Sequence, residues 1–246
     1  MQPISNYITH EEFIRLLLLG PPGSGKTTMG CQFPAAYVMD VDVNLGGPLR
    51  FCNAHNLPKP IGYDRLDIDE TGAVVPMIAR YPRFEKLLNE AYINPEVKTL
   101  VIDSATGFTD ILMAEVKRQQ PSVKDGRQLY GFYLEAGKQF LGKLTQIRKN
   151  VVLTAHERIE QDAMTGITQY RVAWPGQLGD YLGAFFTNVW RCEVEREGLP
   201  PKYKYVVRTM QDAQHYGLKN DLELPPVFSF DWNIIQHKLC PPSPSS

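Results

Sequence analysis

The chain has 246 residues, room for one large α/β domain or two small ones. Hydrophobic residues make up 43%, enough for a real core, and a net charge of −1 excludes a surface that attracts nucleic acid as a whole. Cys31, Cys52, Cys192 and Cys240 stand far apart, with no C-x-x-C and no Cys/His ligand spacing, which argues against structural zinc and for a reducing, cytoplasmic setting. No apolar run approaches ~18 residues, so no membrane span is expected, and Met1-Gln-Pro-Ile-Ser5 does not read as a signal peptide.

The first strong signal is the apolar run Ile14–Leu19, broken only by Arg15, followed by Gly20-Pro21-Pro22-Gly23-Ser24-Gly25-Lys26-Thr27. This is G-x-x-x-x-G-K-[ST] in the order strand, glycine loop, helix start. Glycines let backbone N–H groups close around a phosphate chain, and a helix N-terminus adds unpaired donors and partial positive charge. Lys26 is expected to reach the β/γ-phosphates, with the Thr27 hydroxyl on Mg²⁺ and Thr28 opening a helix of one or two turns.

Ala35–Asp42 is a second apolar run, ending in Asp40 and Asp42, and Gly46-Gly47-Pro48 reads as a break. Residues 43–82 read as irregular, with a candidate strand in Ile61–Ile68. Arg83–Ala91 has helical spacing. Thr99–Asp103 is a compact buried-strand pattern ending in a carboxylate. Such an acid at a strand end fits the second nucleotide motif, which holds the Mg²⁺ shell; the plainer reading is an Asp that caps the next helix.

Helical patterns follow at Phe108–Gln119 and Tyr130–Lys149, joined by a polar loop over 121–128. Between Glu115 and Lys149 stand eight Lys/Arg (117, 118, 124, 127, 138, 143, 148, 149) against three acids (115, 125, 135). That is a local basic excess, or simply a solvated helix face. Val151–Glu157 reads as a buried strand that turns His156 toward the ligand crevice. Residues 158–177 read as a polar loop. Phe185–Val194 and Lys202–Met210 read as strands of a hairpin around Glu197–Pro201. Lys202-Tyr203-Lys204-Tyr205 with Arg208 interleaves base and aromatic, as single-stranded DNA platforms do, or forms an amphipathic edge strand. Phe228–Leu239 is a terminal apolar segment. Residues 1–240 read as one domain and 241–246 as a disordered tail.

In this order the motifs resemble phage-encoded ATPases of the RecA-like core family, including phage single-strand-annealing recombinases. Gly-Pro-Pro-Gly-Ser-Gly-Lys-Thr is followed by a strand ending Asp40-Val-Asp42, then Val101-Ile-Asp103-Ser104, Leu153-Thr-Ala-His156-Glu157 and Leu218-Lys219-Asn220. The resemblance implies an α/β fold of RecA-like P-loop NTPase type. A mostly parallel central sheet would be flanked by helices and carry a C-terminal β-rich extension. It implies ATP and Mg²⁺ as cofactors, with Thr27 and Asp103 on the metal. It makes Asp42 the residue that orients the attacking water, with Asp40 as the alternative, and His156 the reporter of the γ-phosphate. Lys219 becomes a basic residue reaching a neighbour's ATP across a subunit interface, with Arg208 as its substitute.

The resemblance also implies a homo-oligomeric ring or filament with ATP between protomers, acting on single-stranded DNA through residues 158–173, and a single-strand-binding protein as a further partner. Three rival readings stand beside it. They are a small-molecule kinase, a DNA-packaging or helicase-loading ATPase, and a nucleotide-dependent DNA-binding module with little hydrolysis.

Overall fold

A computed structural model describes residues 13–161, 164, 166, 168–199, 202–212, 214, 215 and 217–239. The expected tail at 241–246 and the start of the chain lie outside these residues.

Strand β1 (Arg15–Gly20) is the spine of the fold, since Leu16–Leu19 are buried. Alternation along a strand sends neighbouring side chains to opposite faces. Leu16 and Leu18 join one core with Val38, Val101 and Val152, while Leu17 and Leu19 join the other with Met39, Ile102 and Leu153. A strand buried on both faces needs helices on both sides, and the chain supplies them.

Helix α1 (Lys26–Cys31) follows the glycine loop and β2 (Ala36–Asp40) comes next. Helix α2 (Gly46–Ala54) lies in the stretch expected to be irregular, so the Gly46-Gly47-Pro48 break is corrected. Pro48 sits in the first helical turn, where its missing N–H leaves no bond unmade. Asp40 accepts the N–H groups of Asn44 (3.1 Å) and Leu45 (3.3 Å) just ahead of the helix.

Strand β3 (Gly62–Arg65) falls inside the Ile61–Ile68 window. Helix α3 (Met77–Ile93) begins before the expected start and carries Pro82 inside it, because burying Phe84, Leu87, Leu88 and Ala91 outweighs one lost helical bond.

Strand β4 (Thr99–Asp103) leads into α4 (Ala105–Gln119), and α5 (Gly126–Gln146) is longer at its start than its apolar spacing indicated. The Ser104 hydroxyl caps α4 by accepting the Gly107 N–H at 3.1 Å, and Asp125 caps α5. The helix-capping role considered for Asp103 therefore falls to its neighbour. Phe84, Phe108 and Phe140 from α3, α4 and α5 meet with ring centroids 4.4–5.7 Å apart.

Strand β5 (Asn150–Gln161) continues past Glu157 and turns back as β6 (Thr168–Val172). The segment read as a polar loop is thus largely a β-hairpin. Its polar residues hid the strand because they pair with each other. Arg158 meets Glu160 at 2.9 Å, and Arg171 meets Glu160 at 3.2 Å and Asp180 at 3.0 Å.

Helix α6 (Gln177–Tyr181) and a 3-10 turn lead to β7 (Asn188–Glu197), which forms the expected hairpin with β8 (Lys202–Arg208). Strand β9 (Lys219–Asn220) pairs with β7, and β10 (Val227–Phe228) with β8. Helix α7 (Trp232–Leu239) closes the described chain.

The sheet runs β10-β8-β7-β1-β5-β4-β2-β3, parallel from β7 to β3 and antiparallel beyond β7. Core residues of α1 and α2 pack on one face, and those of α3, α4 and α5 on the other. The fold is the mostly parallel α/β architecture with C-terminal strands that the sequence led us to expect. Strand β5 lies between the glycine-loop strand β1 and the Asp103 strand β4. In register, Gly20 faces His156 and Asp40 faces Asp103. The chemistry-bearing residues therefore gather at the C-terminal ends of adjacent parallel strands, where open α/β sheets hold their ligands. Among the described residues no helix is long and apolar enough to cross a membrane.

Candidate functional site

At that edge lies a cavity of about 660 Å³, whose lining includes residues 22–28, Asp42, Asp103 and His156. The loop closes because Gly23 and Gly25 adopt φ of +78° and +89°, conformations that side-chain-bearing residues rarely take. Ser24 Oγ is buried there without a hydrogen-bond partner. Lys26 is 6% exposed, and its Nζ donates to the carbonyls of Gly20 (2.8 Å) and Pro21 (2.9 Å). Burial lowers the Lys26 pKa, while Asp103, Glu157 and Asp42 pull it back up. An orphaned hydroxyl and a buried cation beside a loop of backbone donors fit a phosphate chain.

Asp103 is 2% exposed and accepts from Thr27 Oγ1 at 2.8 Å and from the Thr154 hydroxyl. Burial raises its pKa; the two hydroxyls lower it, and Asp42 and Asp40 raise it further. A buried carboxylate held against the loop threonine suits a divalent cation bound mainly by phosphate oxygens. Thr27 and Asp103 would hold Mg²⁺, which when bound neutralises charge on the β- and γ-phosphates. Among the described residues no group of three or more His, Cys, Asp or Glu side chains could hold a metal without such a ligand.

Asp40 and Asp42 part company. Asp40 turns inward onto the backbone ahead of α2, whereas Asp42 lines the cavity. The Asp42 N–H donates to the Asp103 carbonyl at 3.1 Å. Its carboxylate accepts from Ser104 Oγ at 2.7 Å and lies 3.5 Å from His156 Nε2. The His156 N–H donates to Thr106 Oγ1 at 3.0 Å, and its Nδ1 is buried without a partner. One carboxylate so placed can orient a water, and one imidazole beside it can respond to charge in the cavity.

The remaining expected residues lie elsewhere. Lys219 sits on β9, where its Nζ donates to the carbonyls of Gly183 (2.8 Å) and Phe186 (3.3 Å), away from its own chain's cavity. Arg208 is bound to Glu193 at 2.9 Å and lies 3.8 Å from Asp212. The basic excess of α4 and α5 is partly tied down. Arg118 meets Glu115 at 2.6 Å, Lys143 meets Glu85 at 2.8 Å, and Lys149 donates to the Ala91 and Asn94 carbonyls.

Several residues that build the site had either no role or a different one in the sequence reading. Ser104 and Gly107 shape the seat of Asp42. Glu157 makes a two-pronged pair with Arg191, both bonds at 2.8 Å. Tyr205 lies against the phosphate loop. Ser104 carried a local signal, as a serine between a strand and a helix, and Tyr205 stood in the Lys-Tyr-Lys-Tyr run read for single-stranded DNA. The others depend on contacts between residues far apart in the chain.

A glycine phosphate loop after a buried strand, with a carboxylate at the end of a second strand and a further strand between the two, defines the P-loop NTPase class. Within that class the chain belongs to the AAA domain family, whose model matches residues 12–219. Among solved structures, the KaiC-like protein PH0186 from the hyperthermophilic archaeon Pyrococcus horikoshii OT3 is similar at 16% identity and a TM-score of 0.41. The match covers 79% of this chain and 77% of that one. No curated protein matches the sequence.

Proposed function

We propose that the protein binds and hydrolyses ATP with Mg²⁺, Lys26 and the loop N–H groups holding the phosphates and Asp42 orienting the attacking water. The observation that carries this reading is the meeting of Lys26, Thr27, Asp103, Asp42 and His156 in the lining of one cavity. Phosphoryl transfer is mainly positioning and charge stabilisation, and these groups serve both. Purified wild-type protein should release phosphate from ATP, and Lys26→Ala should lose at least about a hundredfold of that rate. Equal turnover by the variant would remove the assignment.

The finer reading is that single-stranded DNA is the effector and that several protomers assemble as a ring or filament, with ATP between them. The motif order supports it, and so does one feature of the fold: β5, which carries His156, continues beyond it as the first arm of the β5–β6 hairpin. Phosphate release measured with and without single-stranded DNA tests the effector, and light scattering with ATP and DNA tests the assembly. Turnover indifferent to DNA but dependent on a small acceptor would favour a kinase.

A further inference from the structure

Part of the cavity wall is aromatic. Phe51 from α2, Tyr203 and Tyr205 from β8, and Phe230 line it together with Leu57. The ring of Tyr205 lies over the phosphate loop itself. A Cβ built on Gly25 would come within 3.0 Å of it, and at φ +89° no other residue suits that position. Phe51 meets the same ring edge-on, with centroids 5.5 Å apart, and so braces it. Tyr205 nevertheless stays 44% exposed and Tyr203 69% exposed. These are large aromatic faces left open beside a phosphate site, within the same walls.

We infer that this aromatic wall, in which Phe51 braces Tyr205, is the subsite for the base of the bound nucleoside triphosphate. The inference rests on the cavity being a nucleotide site, as proposed above. Stacking on an aromatic face is the chemistry that recognises a flat heterocycle, and it tolerates different bases because each has a π-face. The tyrosines of the Lys202–Arg208 segment thereby serve the nucleotide. The alternation of the strand turns them toward the loop, and Arg208, which a DNA platform would need, is bound to Glu193.

The test compares two ligands that share a phosphate chain and differ in the base. Calorimetric affinities for MgATP and for inorganic triphosphate with Mg²⁺ are measured on wild type, Tyr205→Leu, Tyr205→Phe and Lys26→Ala. The expected result for Tyr205→Leu is about tenfold weaker ATP binding with triphosphate binding unchanged, and Tyr205→Phe should match wild type. Lys26→Ala should weaken both ligands. Unchanged ATP affinity in Tyr205→Leu would overturn the subsite. So would an equal loss for both ligands, which would make the ring only a prop for the loop. A wild-type protein that bound neither ligand would instead overturn the nucleotide reading beneath it, and that outcome is distinguishable because it needs no variant.

Discussion

Asp42 is a short carboxylate, and the surrounding residues fit closely around it. The first turn of α4 passes so close that a Cβ on Gly107 would collide with Asp42 Oδ1, while Ser104 Oγ holds Oδ2. Replacing glycine by alanine inside a helix ordinarily stabilises by about 0.5–1 kcal/mol. Gly107→Ala should forgo that gain and displace Asp42, lowering kcat while leaving ATP affinity near wild type. Comparing kcat with calorimetric affinity, alongside the melting temperature, checks this. A stabilised variant with full turnover would show that Asp42 does not need this seat.

Asp103 illustrates a cost at the same scale. Its folded pKa lies above its unfolded value of about 3.8, chiefly because it is buried. A carboxyl of that kind holds its proton more tightly when folded. Its contribution therefore favours the fold at low pH and is lost as pH rises from about 4 through the folded pKa. Above the unfolded value, the raised folded pKa therefore works against stability. Asp103→Asn should thus melt higher than wild type above about pH 5, by about 2–4 °C for each kcal/mol recovered, and the gap should close near pH 4. Calorimetric scans across that range read the effect, and phosphate release should be lost in the same variant.

Among the elements, β5 and β7 flank the glycine-loop strand β1, and an ion pair joins them across it. Glu157 follows His156 on β5, and Arg191 on β7 grips it with both bonds. Their side chains are only 6% and 10% exposed. Arg191 also lies over the Tyr170 ring at 4.4 Å and pairs with Glu193. Removing one partner of a buried pair leaves a charge without solvent or counter-ion, at a cost of about 3–5 kcal/mol. Arg191→Met should lower stability by that order in chemical denaturation. The doubly substituted Glu157→Gln/Arg191→Met should recover part of it, since no lone charge then remains.

Strand β8 carries a prediction tied to the DNA reading. Lys202 and Lys204 are exposed, whereas Arg208 is engaged by Glu193. Substituting both lysines should reduce the salt slope of single-stranded DNA binding by up to about 1.4, at about 0.7 per phosphate contact. Adding an Arg208 substitution should change it no further. An unchanged slope in the double variant would make the strand a scaffold and nucleotide wall only.

For the molecule as a whole, ligand and stability are linked. A ligand that binds only the folded state at a hundred times its dissociation constant adds about 2.7 kcal/mol. For a chain of this size that is a rise of about 5–10 °C in melting temperature. MgATP should raise the melting point of wild type by that order. Lys26→Ala, which leaves the phosphates without their buried cation, should show almost none of it.

The phosphate loop, the buried strands that carry Asp103 and His156, and the α/β class were legible in the residues themselves. Each is written within a few consecutive positions, where glycine conformation, apolar runs and strand-end polarity leave a local trace. Helix α2 and the β5–β6 hairpin were not. Their stability comes from Asp40 at one remove and from cross-strand charge pairs that no periodicity reveals. Which of two neighbouring aspartates faces the cavity was likewise decided by the turn after β2, with Asp40 spent on backbone N–H groups and Asp42 left to the site. The place of Tyr205 against the glycine loop was set by tertiary pairing alone. The motif Lys-Tyr-Lys-Tyr suits any ligand that stacks and carries phosphate, and only the pairing of β8 beside β7, one strand from the glycine loop, set those rings against a nucleotide cavity. Local chemistry can be read from sequence because it depends on residue type and spacing, whereas the assignment of that chemistry to a ligand depends on which distant strands lie side by side.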